Sequence, residues 1–370
     1  MPNLRTRAEI NLKNISHNVR QFKEIIPEGC EMLAVVKADG YGHGAVEVLT
    51  CAVKAGVTWA GVALVEEAVE LREAGFTLPI LLLGGWFPEG IEVIYRHDIT
   101  PMIYSMESLR LLSEYSKTQK EPLKVHLKLD TGMGRLGLDY AQLELILKDA
   151  SYFDNLILDG VASHFSSADD EDREFTLGQL TEFHQRVAKI RESFDLNWVH
   201  IANSAGCINY DQDRGNLFRL GISLYGMPPS ARGNYPIDLK ESLSWKTSIV
   251  QLKWLPPGSP VSYNRTYHTK RPSLIATLPV GYADGYSRHL SNNSEVLIRG
   301  QRANLIGRVC MDMILVDVTH IDGVRLYDEV VLIGTQKDQL ISATDMAELA
   351  GTINYETTCA ISKRVPRLYL

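Results

Sequence analysis

The sequence predicts an α/β protein, with an N-terminal (β/α)8 barrel of TIM type over residues 1–240 and a C-terminal mostly-β domain over 241–370. Three observations carry this. The chain has 370 residues, enough for two domains at about 150 residues each. Up to about residue 240, short apolar runs alternate with longer amphipathic stretches. Beyond it, β-branched runs follow one another with turn residues between them and little helical patterning.

The apolar runs of the first part are MLAVVK ending at Lys37, WAGVAL ending at Leu64, PILLLG ending at Gly84 and TPMIY ending at Tyr104. KVHLKL ending at Leu129, LILDGVASHF ending at Phe165, WVHIAN ending at Asn203 and FRLGISLYG ending at Gly226 complete the set. They are short, aliphatic and bounded by Gly, Asp or Ser, as strands buried on both faces are. Apolar residues recur at helical spacing in His17 to Ile26, Ala45 to Ala55, Val65 to Ala74, Ser105 to Tyr115 and Thr176 to Phe194. Gly56 and Gly75 stand where helix C-caps belong. The count of eight strands favours a closed barrel. A doubly wound open sheet remains the alternative. Arg5 to Leu12 reads as a strand free to pair with either domain. In the second part, SIVQLKWL, SLIATLPVGY, EVLIRG, NLIGRVCMDMILVDV and EVVLIG read as strands, and Ala343 to Ala350 as one helix capped by Ser342.

Composition excludes several function classes. Lys and Arg number 38 against 45 Asp and Glu, a net charge of −7, so no global field attracts nucleic acid or an anionic membrane. The five cysteines are odd in number and lack a C-x-x-C pair, which argues against a disulfide framework and for a reducing, cytoplasmic setting. No apolar run approaches a bilayer span, and the N-terminus lacks a signal-peptide core. No two histidines lie within four residues, and there is no G-x-S-x-G or phosphate-loop motif. No metal site is expected.

The remaining chemistry is positional, because barrels build active sites at the C-terminal ends of their strands. Lys37 ends the first barrel strand, where low dielectric depresses an amine and favours Schiff-base chemistry. The glycine-rich segment after it bears Tyr41, a ring suited to a flat ligand. His164 ends the sixth strand, Asn203-Ser204-Ala205-Gly206 follows the seventh, and Arg219 with Gly221 and Ile222 marks the eighth. Loops after strands seven and eight are where barrels bind phosphate. A lysine on strand one with a phosphate site opposite suggests pyridoxal phosphate.

At AVVKADGYGHG (34–44) the sequence resembles the cofactor-attachment motif of alanine racemases. HLKLDTGMGRLG (126–137), SHFSSAD (163–169), ANSAG (202–206), FRLGISLYG (218–226), SYNRTY (262–267), GYADGYSR (281–288), GRVCMD (307–312) and TINYE (352–356) are similar to that family in order. The resemblance implies a fold-type III, pyridoxal-phosphate-dependent racemase of alanine, supplying D-alanine for peptidoglycan and working as a homodimer with shared active sites. It implies Lys37 as the Schiff-base lysine and base for D-alanine, and Tyr263, lent by the partner subunit, as base for L-alanine. Arg135 would contact the cofactor's phenolic oxygen and the substrate, and His164 would lie beside the pyridine ring with Arg219 at its nitrogen. Tyr41, Ser204, Gly221, Ile222 and Tyr355 would hold the phosphate. Met311 would bind the substrate carboxylate, Tyr282, Arg288 and Asp169 would line the access path, and Lys128 would be carbamylated. Asn264 and Arg265 depart from relatives that carry Gly after the tyrosine. A tyrosine base is demanding, since its reference pKa is about 10. A cofactor-binding protein without turnover, a decarboxylase of the same fold type and a broad-specificity or serine racemase are the alternatives.

Overall fold

The computed structural model describes residues 6–210, 214–230 and 235–370; Arg5, read above as part of a strand, lies outside them. Two compact units result: Ile15–Gly40 with Ala45–Lys240, and Met1–Asn14 with Tyr41–Gly44 and Glu241–Leu370.

Strand β1 (Thr6–Ile10) and helix α1 (Leu12–Ile25) open the chain. The first unit is built on eight parallel strands among the described residues: β2 (Glu31–Val35), β3 (Trp59–Val62), β4 (Ile80–Leu82), β5 (Ile99–Ile103), β6 (Leu123–Lys128), β7 (Leu156–Ala162), β8 (Trp198–His200) and β9 (Leu217–Leu220). Each falls within, or overlaps, one of the eight apolar runs. They are bonded in the order β8-β7-β6-β5-β4-β3-β2-β9. Between β8 and β9 single bonds replace a ladder, from Asn216 N–H to Val199 O at 2.8 Å and from Arg219 N–H to Ala202 O at 3.3 Å. The barrel is therefore nearly closed, and the open-sheet alternative falls.

The connections are α2 (Lys37–Tyr41), a single turn with left-handed φ at Ala38, Asp39 and Gly40, then α3 (Ala45–Ala55), α4 (Val65–Glu73), α5 (Ile91–Arg96), α6 (Met106–Ser116), α7 (Tyr140–Lys148), α8 (Glu174–Arg191) and α9 (Ser204–Asn209). Helix α1 buries Ile15, Asn18, Val19 and Phe22, one stripe at three- and four-residue spacing. The helices α5, α7 and α9 were not read from the sequence. Helix α7 has a capping box, with Asp139 Oδ1 accepting from Gln142 N–H at 2.7 Å and the Gln142 side chain accepting from Asp139 N–H.

In the second unit, β10 (Leu243–Ser248), β11 (Gln251–Leu255), β14 (Ser273–Leu278), β15 (Glu295–Ile298), β16 (Gln301–Leu305), β17 (Ile314–Asp317), β18 (Glu329–Gln336) and β20 (Arg367–Tyr369) join β1 in one sheet, ordered β11-β14-β17-β16-β15-β18-β10-β1-β20. Strand β19 (Gln339–Ile341) pairs with β18, while β12 (Pro260–Val261) and β13 (Tyr267–His268) form a separate ribbon. Strand β1 pairs antiparallel with β10, Ala8 opposite Trp245, and parallel with β20. Its Thr6, Ala8 and Ile10 are buried, as are Leu243, Trp245 and Thr247 of β10, so one face of each alternating strand is interior. Helix α10 (Ala343–Ala350) is capped as read, with Ser342 Oγ accepting from Asp345 N–H at 2.9 Å. A further helix, α11 (Asn354–Cys359), follows it.

Candidate active site

The barrel unit gathers the cationic residues. Strand β2 stops at Val35, two residues short of Lys37, and the chain turns left-handed at once, with φ of 53° at Ala38, 52° at Asp39 and 59° at Gly40. Gly40 N–H donates to Val36 O at 2.8 Å and Ala45 N–H to Asp39 Oδ1 at 3.1 Å. The segment that follows Lys37 is therefore a tied turn.

Arg219, on β9 and 4% exposed, is the hub of the barrel interior. One terminal nitrogen donates to His200 Nδ1 at 2.6 Å; the other reaches the carbonyls of Ser163 and Ile201, both at 2.8 Å, and His164 Nδ1 at 3.1 Å. Its Nε–H has no partner among the described residues. A guanidinium only donates, so His200 Nδ1 accepts and His200 Nε2 carries the proton. That nitrogen donates to His126 Nδ1 at 2.9 Å, which leaves a proton on His126 Nε2, buried and without a partner among the described residues. The direction of each bond in the chain is thus fixed by the arginine.

Burial, followed by Arg219, holds His200 well below the usual histidine range, and the same causes with Lys124 push His126 down to about 3. Burial also pushes Arg219 down to about 10. His164 stands two residues past the end of β7; burial, then Arg219, Lys128, Arg135 and Lys37, hold it well below its ordinary value. This imidazole is neutral, with two guanidinium and two lysine side chains near enough to lower it. Lys128, the last residue of β6, is buried and forced well down by burial and by Arg219 and Arg135, against the opposing charge of Asp130.

Arg135 projects from the loop after β6. Asp130 Oδ1 accepts from Gly132 and Gly134 N–H at 2.9 and 3.1 Å, and Gly137 has φ of 141° with no room for a Cβ, which would lie 2.5 Å from Asp130 N. Ser204, opening α9, is buried; its Oγ accepts from Gly221 N–H at 2.9 Å, and Asn203 caps the helix by accepting from Gly206 N–H at 2.9 Å. Ile222 is buried beside them, and the Ser223 hydroxyl is buried with no partner among the described residues. Asp169 is exposed on the loop after β7.

The other unit places Tyr41 against Tyr355 of α11, ring centroids 6.0 Å apart. Burial, then the Tyr355 ring, raises the Tyr41 phenol, which stays protonated. Gly42 makes this close approach possible, since a Cβ there would lie 2.3 Å from Thr358 O. Tyr263 is 68% exposed on a turn in which Ser262, Asn264 and Arg265 all have positive φ. Asn264 holds a φ of 58°, a conformation that asparagine is among the few non-glycine residues to tolerate. Met311 is brought to Tyr282 by two bonds, Tyr282 N–H to Cys310 O and Ala283 N–H to Met311 O, both at 3.0 Å. Arg364 braces the pair, reaching Asp284 at 3.0 Å and Asp312 at 2.7 Å. The Met311 N–H has no partner among the described residues. Arg288 is exposed in a short 3-10 turn at Arg288–Leu290.

Sequence reasoning missed His126, His200, Arg364 and Asp284. His200 was legible as a polar residue at a strand end; His126 offered no signal, being one residue inside an apolar run.

Two family models match, described as "Alanine racemase, N-terminal domain" over residues 10–229 and "Alanine racemase, C-terminal domain" over 242–369. The chain is 46% identical over 365 residues to the alanine racemase of Halothermothrix orenii, covering 98% of this chain and 96% of that protein. It is similar to the crystal structure of alanine racemase from Bacillus anthracis with bound L-Ala-P, at TM-score 0.93 and 38% identity over 99% of this chain and 95% of that one. The alanine racemase of Bartonella henselae with covalently bound pyridoxal phosphate matches at TM-score 0.91 and 29% identity, covering 100% of both chains.

Proposed function

The chain belongs to the alanine racemase family, and from that premise we propose that it interconverts L- and D-alanine with pyridoxal phosphate bound at Lys37. Among the observations in the structure, the reading rests on the guanidinium and amine groups of Arg219, Lys128, Arg135 and Lys37, which lie close enough to the neutral His164 imidazole to lower it. Such a field suits an anionic phosphate, a phenolic oxygen and a substrate carboxylate.

The residues present fit the cofactor. Lys37 would supply the amine for its aldehyde, and the Arg219 Nε–H, without a partner among the described residues, would donate to its pyridine nitrogen. The Ser204, Tyr41 and Tyr355 hydroxyls and the Ile222 N–H would serve its phosphate beside Gly221, whose N–H donates to Ser204 Oγ, and Arg135 would offer a guanidinium for its phenolic oxygen. When bound, pyridoxal phosphate supplies the electron sink that acidifies the α-proton of an amino acid.

The chain's own residues do the rest. Lys37 Nζ removes or returns the α-proton on one face of the substrate, and the Tyr263 hydroxyl serves the other face, so two bases invert the centre without a rotation. Arg219 would donate a hydrogen bond and keep its proton, which would restrain the sink and disfavour side reactions that need a fully protonated pyridine. The Met311 N–H and Arg135 orient the substrate carboxylate, and Tyr282, Arg288 and Asp169 line its access path.

The β unit's Tyr263 and Met311, exposed in the single chain, serve the site of a second copy in a homodimer. Among the described residues no helix is long and apolar enough to cross a membrane; we place the enzyme in the cytoplasm, its D-alanine feeding peptidoglycan. The test is circular dichroism of L-alanine and, separately, L-serine incubated with holoenzyme, with borohydride fixation of the cofactor. Loss of L-alanine signal and label on Lys37 are expected. Faster loss of L-serine signal would make it a serine racemase, and label elsewhere would refute the site.

A further inference from the structure

The turn that presents Lys37 is one that its own residues do not favour. Ala38 and Asp39 hold φ of 53° and 52° in succession, a region residues with a Cβ rarely enter. Something outside the turn must hold it. Two of its ties are local, Gly40 N–H to Val36 O and Asp39 Oδ1 from Ala45 N–H. The third comes from 29 residues away: Glu67 Oε1 accepts from Ala38 N–H at 2.6 Å.

Glu67 lies in the first turn of α4. Its other oxygen accepts from Ala63 N–H at 2.7 Å and Leu64 N–H at 3.1 Å, and so closes the start of that helix. One carboxylate therefore takes three backbone N–H groups, two from the loop after β3 and one from the residue that follows Lys37. Helix capping uses only Oε2; Oε1 is committed to the neighbouring loop. Bonds from backbone N–H to a carboxylate are among the stronger ones.

We propose that Glu67 is a positioning residue for Lys37, holding the left-handed turn that aims the amine, in addition to capping α4. This rests on the reading of Lys37 as the cofactor-bearing lysine. Capping alone and positioning predict different outcomes. If Glu67 only caps, its loss lowers stability and leaves Lys37 chemistry intact. If it positions, the defect falls on attachment at Lys37, and it is relieved when the turn no longer needs a tie. Ala38→Gly supplies that relief, since glycine adopts positive φ at no steric cost.

The experiment uses the full chain, stripped of cofactor and reloaded. The rate of visible-absorbance growth and the borohydride-fixed fraction at Lys37 are followed, alongside thermal unfolding and alanine turnover. Glu67→Ala is expected to slow attachment about tenfold, on the scale of one lost charge-assisted bond. Glu67→Gln, which keeps one acceptor oxygen, should fall between it and the unaltered chain, and is the readable variant if Glu67→Ala does not fold. Ala38→Gly combined with either should restore most of the rate. Ser105→Ala, which removes the cap of α6, should lower unfolding temperature and leave attachment unchanged. Unchanged attachment in the Glu67 variants, or no restoration by Ala38→Gly, overturns the inference while the functional reading stands. Failure of the unaltered chain to fix cofactor at Lys37 overturns both.

Discussion

Replacing Gly160 by alanine tests the histidine chain without touching any group in it. Gly160 lies on β7 directly opposite His126 of β6, and its φ is not in the left-handed region, so the backbone accepts alanine. The added Cβ would stand 2.8 Å from His126 Cε1 and Nε2 and 2.9 Å from Nδ1, where ordinary contact begins at 3.4 Å. The ring must move about 0.6 Å, yet it is packed by Trp59 at 5.6 Å and His200 at 5.1 Å between centroids. Such a shift carries its 2.9 Å bond to His200 to about 3.5 Å, beyond useful length. Overpacking costs about 1–3 kcal/mol and a broken buried hydrogen bond about 1–3 kcal/mol. A loss of about 3 kcal/mol corresponds to a fall of roughly 6–12 °C in unfolding temperature for a domain of this size. The assay is thermal unfolding followed by circular dichroism for Gly160→Ala, His126→Ala and the double variant. Removing the ring leaves room for the new methyl, so the two changes should be coupled by at least about 1 kcal/mol. Additive effects, or a fall of under about 2 °C for Gly160→Ala, would refute the argument.

The remaining predictions concern charge and assembly. Glu241, half-buried beside α10, has its carboxyl pushed up to about 7, mainly by burial, with Asp345 adding and the Ala343 N–H opposing. Its folded pKa exceeds its ordinary 4.5, so its stabilising contribution is complete below that value and is lost as pH rises through about 7. Glu241→Gln should match the parent near pH 4.5 and exceed its stability above pH 7 by on the order of 2 kcal/mol after solvent screening; equal stability at pH 8 would contradict this. Lys128, whose amine burial, Arg219 and Arg135 hold well below its ordinary value, is expected to add carbon dioxide at Nζ, releasing a proton and becoming an anion that braces Arg135. Carbon-13 bicarbonate should give a carbamate resonance that Lys128→Ala abolishes, and a bare ammonium in an experimental density map would reject it. Mixing Lys37→Ala with Tyr263→Phe subunits should recover activity from the one intact site of each mixed dimer, and no recovery with mixed dimers verified would exclude a shared site.

The barrel was legible because strands buried on both faces are written as unbroken apolar runs, and all eight were visible. What could not be read was set by contacts distant in sequence. NLIGRVCMDMILVDV looks like one strand, but the chain leaves the sheet after Leu305 and returns at Ile314. In between, the Cys310 and Met311 carbonyls meet the N–H groups of Tyr282 and Ala283. SIVQLKWL likewise breaks at Ile249 and Val250, where β10 ends and β11 joins β14. Helix α11 was absorbed into a motif and α5 and α9 are six residues each, too short for periodicity to register. The left-handed turn after Lys37 escaped reading because neither Ala38 nor Asp39 announces it; its determinant sits on another helix. Lys37, His164, Ser204 and Arg219 were singled out because barrel geometry sends strand ends to one rim.

The position of β1 has a consequence for the order of assembly during synthesis. Its two neighbours, β10 and β20, begin at Leu243 and Arg367. The ribosome needs about 12–47 s to add the 233 residues separating Ile10 from Leu243, at about 5–20 residues per second. For that interval Ala8 and Ile10 have neither of the partner strands that flank them in the finished protein. Among the described residues β1 thus precedes every other strand yet is enclosed last, its second edge being covered only by β20. A nascent chain stalled before Arg367 would carry β1 with one row of backbone donors and acceptors unpaired, an invitation to pair with another chain.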